Sequence, residues 1–241
     1  MLATLLLIVA GCGDDDDASG GGSDDLVVSA ASSLKNAFEE YDSAAKFSFA
    51  GSDELAAQIR QGVKPDVFAS ANTKLPEELY EEDLVEKPQV FAGNKLVLAV
   101  PADGAKVSSL EDLYTPGVRI AMGDEEVPVG AYTREVIDKL GHEHADQVYA
   151  NVKSYEPDVA GVVGKLTQGA VDAGFVYITD VEAAGDSIKA IELPAVISPE
   201  VQYGVAVVKG AKHQEAAQEF VDGLLDGAGK DALVKAGFTT P

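Results

Sequence analysis

From Leu26 onward the chain alternates short apolar runs with amphipathic stretches, and this alternation restricts the architectures open to it more than any other feature. Residues 26–29 (LVVS), 46–50, 66–69 (DVFA) and 95–100 (KLVLAV) read as strands, the last one stopped by Pro101. Helical patterns at 34–41, 53–60 and 74–82 lie between them. Such a βαβα rhythm predicts a mostly parallel sheet covered by helices. The rhythm restarts after Ser108, with strands expected at 118–122 and 174–177 (GFVY) and helices at 132–140 and 159–168. A long β-rich run follows at 201–208 (VQYGVAVV), and helices at 213–225 and 229–236 close the chain. No short-period repeat is visible. Two α/β units joined by two extended strands imply two lobes, one of residues 26–98 plus 203–241 and one of 99–202. The crossings near 99–101 and 202–204 are the expected hinges. Ligands of open α/β sheets bind beyond the carboxyl ends of the strands, and a cleft between lobes is a common site.

The residues before this pattern read as an address. Residues 2–10 form an almost unbroken apolar run, too short for a spanning helix, which needs roughly 20 residues. The run is expected to be the core of a secretory signal spanning 1–12, although no Lys or Arg precedes it. Val9-Ala10-Gly11-Cys12 resembles a lipobox, which makes Cys12 the expected lipidation site and the bilayer its partner. Residues 13–25 (GDDDDASGGGSDD) then supply a flexible, self-repelling acidic tether. The Asp run lacks the ligand spacing and closing Glu of a calcium loop.

Charge narrows the function classes. The sequence holds 41 acidic and 18 basic residues, a formal net charge of −23. A nucleic-acid partner demands a basic surface and is excluded. The same field opposes any anion at long range, so an anion site here must work through short-range contacts. With one Cys, no internal disulfide staples the fold. The sequence shows no G-x-S-x-G elbow, no P-loop and no dinucleotide fingerprint, which argues against a hydrolase or nucleotide enzyme. His142 and His144 do not form H-E-x-x-H and, following a helix-ending Gly, are expected in an exposed loop.

Four junctions carry the candidate chemistry. Residues 29–33 (SAASS), 50–52 (AGS), 127–130 (VPVG) and 156–159 (EPDV) each place small, Gly or Pro residues directly before a helical pattern. The first N–H groups of a helix lack internal partners, and its dipole places partial positive charge there. Several such starts aimed at one point could hold a dianion without Lys or Arg. Singly, each junction is equally well explained as an N-cap or as ordinary helix punctuation, and spacing does not show convergence.

These stretches, with others in the same order, resemble the periplasmic molybdate-binding proteins of the ModA family, which have the type II periplasmic-binding-protein fold. The matching segments are 30–38 (AASSLKNAF), 49–59 (FAGSDELAAQI), 65–72 (PDVFASAN), 93–100 (GNKLVLAV), 127–132 (VPVGAY), 172–180 (DAGFVYITD), 203–210 (YGVAVVKG) and 237–238 (GF). The resemblance implies a two-lobed α/β receptor, each lobe a mixed, mostly parallel sheet flanked by helices, with the ligand held in the cleft between them. It implies capture of molybdate or tungstate outside the cytoplasm for the permease of an ABC importer, with no cofactor, no enzymatic activity and a monomeric receptor. By position it implies that Ser33, Ser52 and Tyr177 donate hydroxyls and that Val129 and Val159 donate backbone amides, so that the metal is held as its oxyanion with no direct protein ligand. Ser32 matches less well than its neighbour. Val129 stands where other members carry Ala, a change that leaves the amide in place. A donor-only pocket favours fully deprotonated dianions, which leaves sulfate as the alternative ligand. The chain has no Tyr-Tyr pair for ferric ion, and Arg60, Arg119 and Arg134 fall inside elements rather than at the junctions.

Overall fold

The computed structural model describes residues 26–241; the expected signal segment, Cys12 and the tether lie outside the described residues. Among the described residues, two five-stranded sheets share one plan. The first is built from β1 (Val27–Ala31), β2 (Lys46–Ala50), β3 (Val67–Ser70), β4 (Gln89–Asn94) and β10 (Val201–Val207), in the order β2-β1-β3-β10-β4. The second is built from β5 (Leu96–Pro101), β6 (Ile120–Gly123), β7 (Val152–Glu156), β8 (Ala173–Tyr177) and β9 (Ile188–Ile191), in the order β7-β6-β8-β5-β9. In each sheet three neighbouring strands run parallel, and one strand arriving from the other half pairs antiparallel on both sides. This is the expected mixed, mostly parallel architecture.

Burial explains which strands form where. β3, β6 and β8 are buried along their whole length and read as continuous apolar runs, as strands covered on both faces must. The edge strands β2 and β7 alternate exposed and covered positions. Helices α1 (Lys35–Tyr41), α8 (Gln214–Leu225) and α9 (Ala228–Lys235) cover one face of the first sheet, where Phe220 packs edge-on against Phe38 at 5.4 Å. Helices α2 (Ser52–Arg60) and α3 (Lys74–Glu81) enclose a second apolar cluster containing Leu55, Phe68, Leu79 and Val85. Helices α4 (Pro128–Asp138), α5 (His142–Asn151), α6 (Val159–Thr167) and α7 (Ile178–Ala184) flank the second sheet.

Two expectations need correcting. β5 pairs within the second sheet from Leu96 onward, and β10 pairs within the first from Val201. The change of sheet therefore falls at Asn94–Lys95 and ahead of Val201, not inside the strands at 99–101 and 202–204. An extended apolar run reads alike whether it crosses between sheets or lies within one. His142 and His144 open α5 rather than lying in a loop, because Gly141 at φ 85° turns the chain straight into a new helix. His144 stacks on Tyr114 with ring centroids 4.3 Å apart.

Candidate functional site

The carboxyl ends of the parallel strands from both sheets converge on one cavity of about 200 Å³. The first lobe contributes Ala31, Ser32 and Ser33 after β1, Ala50, Gly51 and Ser52 after β2, and Ala71 after β3. The second contributes Val127, Pro128 and Val129 after β6, Asp158 and Val159 after β7, and Tyr177 at the end of β8. All five residues singled out in the sequence, Ser33, Ser52, Val129, Val159 and Tyr177, thus line a single space.

Local chemistry sets what each junction can offer. Gly51 caps α2 in extended backbone, and Ser52 is the first helical residue, 1% exposed. Ser52 Oγ accepts the Ala71 N–H at 3.0 Å, so its own proton is free to be donated. Pro128 takes the first position of α4, where its fixed φ suits the helix and its missing N–H costs nothing. The helix therefore starts one turn earlier than the sequence reading at Tyr132, and Val129 falls in the first turn with no intrahelical partner for its amide. Val159 is likewise the first residue of α6, which Asp158 caps by accepting the Gly161 N–H at 2.8 Å. Tyr177 is 1% exposed, and its hydroxyl is buried without a hydrogen-bond partner. Burial holds it well above the ordinary tyrosine range, so it is a neutral donor. Buried polar groups nearly always find partners, so an orphan hydroxyl facing a cavity marks a place where something polar binds.

No Lys or Arg lines the cavity. Arg60 is engaged by Glu78 and Glu82, Arg119 by Asp172, and Arg134 reaches the carbonyl oxygens of Gly123 and Gly130 behind the start of α4. The positive potential in the cavity comes from three helix starts and from hydroxyl dipoles. Two carboxyl groups stand close by: Asp158 lines the cavity while capping α6, and Asp180 accepts the Tyr177 N–H at 2.9 Å. Burial pushes Asp180 up to about 7, and Asp158 adds to the shift.

The lobes touch over this space. A Cβ placed on Gly51 would lie 2.4 Å from the carbonyl oxygen of Pro157 in the opposite lobe. The junction reading located the loops but missed this approach, and it also missed Ala71, whose only signal is a small residue at the end of a third buried strand.

Comparison with known proteins agrees with this fold. The molybdate-binding protein ModA of Mycobacterium tuberculosis is 32% identical over 222 residues, covering 88% of this chain and 83% of its own length. The periplasmic molybdate-binding protein of Azotobacter vinelandii superposes with a TM-score of 0.81 at 22% identity, over 90% of this chain and 100% of that one. The sulfate-binding protein SubI of Mycobacterium tuberculosis shares the fold with a TM-score of 0.76 at 15% identity, over 89% and 86% of the two chains. The family described as bacterial extracellular solute-binding protein matches residues 26–239, and the chain belongs to it.

Proposed function

We propose that this protein captures molybdate or tungstate outside the cytoplasm and delivers it to the permease of an ABC importer. It acts as a binding protein rather than a catalyst. The observation that carries this reading is the cation-free cavity between the lobes in which Ser52, the orphan Tyr177 hydroxyl and the starts of α2, α4 and α6 meet. Its relatives of known ligand support the oxyanion. Ser33, Ser52 and Tyr177 donate hydroxyls, Val129 and Val159 donate amides, and the ligand bridges the two lobes. Closure about the crossings at Asn94–Lys95 and before Val201 dries the site, which strengthens each charge-assisted bond. Lipidation of Cys12 would hold the receptor, as a monomer, on the outer face of the membrane, with residues 13–25 as the tether. Calorimetric titration with molybdate, tungstate and sulfate tests the assignment. Saturation by one equivalent of molybdate or tungstate, with much weaker sulfate binding, is expected; a preference for sulfate would reassign the receptor to that ion.

Two further outcomes are expected at this site. Tyr177→Phe removes a hydroxyl that bonds to nothing else among the described residues, so it should weaken molybdate binding about ten- to a hundred-fold. Its melting temperature without ligand should remain that of the wild type; a melting temperature that falls with affinity unchanged would place Tyr177 in the core alone. Asp180 gives a pH dependence. Its folded-state value is raised, so the fold keeps this proton between about 4 and about 7 while the unfolded chain releases it, and stability falls as pH rises through that window. Above about 7 the carboxylate is charged beside an anion site. Molybdate affinity should therefore weaken from about pH 6 to about pH 8, and Asp180→Asn should flatten the profile. An equally steep profile in that variant would exclude Asp180 as the titrating group.

A further inference from the structure

A partly buried chain of side-chain hydrogen bonds runs from the crossing between the sheets to Ser33. Asn94, the last residue of β4, has its carboxamide orientation fixed by the backbone: its Oδ1 lies 2.8 Å from the Lys95 N–H, which can only donate. Its Nδ2 must then point the other way, and it donates to Tyr203 Oη at 3.3 Å and to Thr179 Oγ1 at 2.9 Å. Tyr203, on β10, is fully buried, with its ring edge-on to Phe91, Tyr177 and Phe238. Its hydroxyl sits 2.9 Å from Ser33 Oγ. Of the two partners of the Tyr203 hydroxyl among the described residues, Asn94 Nδ2 can only donate, so the Tyr203 proton has Ser33 Oγ as its acceptor. Ser33 is thereby an acceptor on its inner side, and its own proton is left for the cavity.

We infer that Tyr203 and Asn94 are positioning residues that fix the Ser33 hydroxyl as a donor into the oxyanion site. This rests on reading Ser33 as a ligand-binding donor. Neither residue lines the cavity. They act by removing the alternative in which Ser33 gives its proton to Tyr203 and turns a lone pair to the ligand. The consequence is selectivity. A protonated oxyanion such as hydrogen phosphate requires an acceptor, and with the chain intact Ser33 turns its proton, not a lone pair, toward the ligand. Asn94 also bonds to Thr179, two residues beyond Tyr177, so the same carboxamide ties the hydroxyl-donor segments of both lobes at the point where the chain crosses between them.

The test is a double-mutant cycle read with two probes, molybdate and inorganic phosphate, on the full chain. Tyr203→Phe should weaken molybdate binding about tenfold, as for loss of one oriented hydrogen bond. It should add nothing in a Ser33→Ala background, since the residue acts only through that hydroxyl. The ratio of molybdate to phosphate affinity should drop about tenfold or more in Tyr203→Phe, whereas a merely structural role would weaken both probes alike and leave the ratio unchanged. Asn94→Leu, close in shape, should reproduce the loss of selectivity and serves if Tyr203→Phe does not fold. Additive losses, or an unchanged ratio in the folded variants, would overturn the inference while leaving the site reading intact. Wild-type molybdate affinity in Ser33→Ala would instead overturn the site reading on which it rests.

Discussion

Gly51→Ala is expected to hold the cleft open while leaving the fold intact. The Gly51 backbone, at φ −61° and ψ 138°, suits any L-residue, and within its own lobe the added methyl crowds only Asp53 Oδ1, at 2.7 Å, the end of a side chain that can turn aside. Substituting Gly where the backbone is compatible stabilises by about 0.4–1 kcal/mol through the unfolded chain. The obstacle lies across the cleft, where the new Cβ would fall 2.4 Å from the Pro157 carbonyl oxygen, a backbone atom that cannot swing aside as a side chain does. Relieving an overlap of this kind costs about 1–3 kcal/mol and here falls on the closed state alone. Molybdate affinity should therefore drop about ten- to a hundred-fold, with a melting temperature without ligand at or slightly above that of the wild type. Small-angle scattering should show less compaction on adding molybdate than in the wild type. Wild-type affinity and compaction would show that the approach of the two lobes at Gly51 is not required for binding.

The second large effect combines binding and stability. Ser52 Oγ receives the Ala71 N–H in a fully buried setting and has one proton left for the cavity. Ser52→Ala removes a donor to the ligand, worth about 1.5–3 kcal/mol for a charged acceptor, and also orphans the Ala71 amide at a cost of about 1–3 kcal/mol. Affinity should fall about ten- to a hundred-fold, and the ligand-free protein should melt lower. Tyr177→Phe should show the first effect without the second. Calorimetry together with thermal melts of both variants checks the contrast. Equal melting temperatures would mean that water replaces the Ser52 bond, and unchanged affinity in Ser52→Ala would remove this serine from the site.

The fold was largely legible because its central strands are covered on both faces. Runs such as DVFA and GFVY can be little else than buried strands between helices, and the restart after Ser108 marks the second sheet. Of the four edge strands only β2 was legible. β4, β7 and β9 mix polar residues into five or so positions, as QVFAGN, VKSYE and IKAI, because one face or one edge meets solvent, and such patterns resemble loops. Helix α7 escaped because it begins directly after β8, and α5 because only Lys139, Leu140 and Gly141 separate it from α4, so that the glycine reads as an end and not as a new start.

The site was legible in its parts. The junctions that hold Ser33, Ser52, Val129 and Val159 were found because a small residue, Gly or Pro ahead of a helical pattern is a local signal, whereas the choice of those residues within them came from family resemblance. Their meeting in one cavity is a property of two sheets facing each other, which no local pattern encodes. The carry-over of Tyr177 rested on family resemblance, and the structure supplies its physical basis in the orphan hydroxyl. Asn94, Thr179 and Tyr203 had no signal at all: the bonds that join them to one another and to Ser33 span 85, 109 and 170 positions of sequence, and each residue read alone is ordinary.

A protein with a formal net charge of −23 that binds a dianion must do so by local dipoles, and that is the claim on which the rest depends. Anomalous diffraction at the molybdenum edge, from crystals of the protein grown with molybdate, tests it most directly. The expected result is one strong peak in the cavity between the lobes, with ligand oxygens within hydrogen-bond distance of Ser33 Oγ, Ser52 Oγ, Tyr177 Oη and the Val129 and Val159 amides, and no cationic side chain in contact. A peak elsewhere on the surface, or one held by a lysine or arginine, would contradict it.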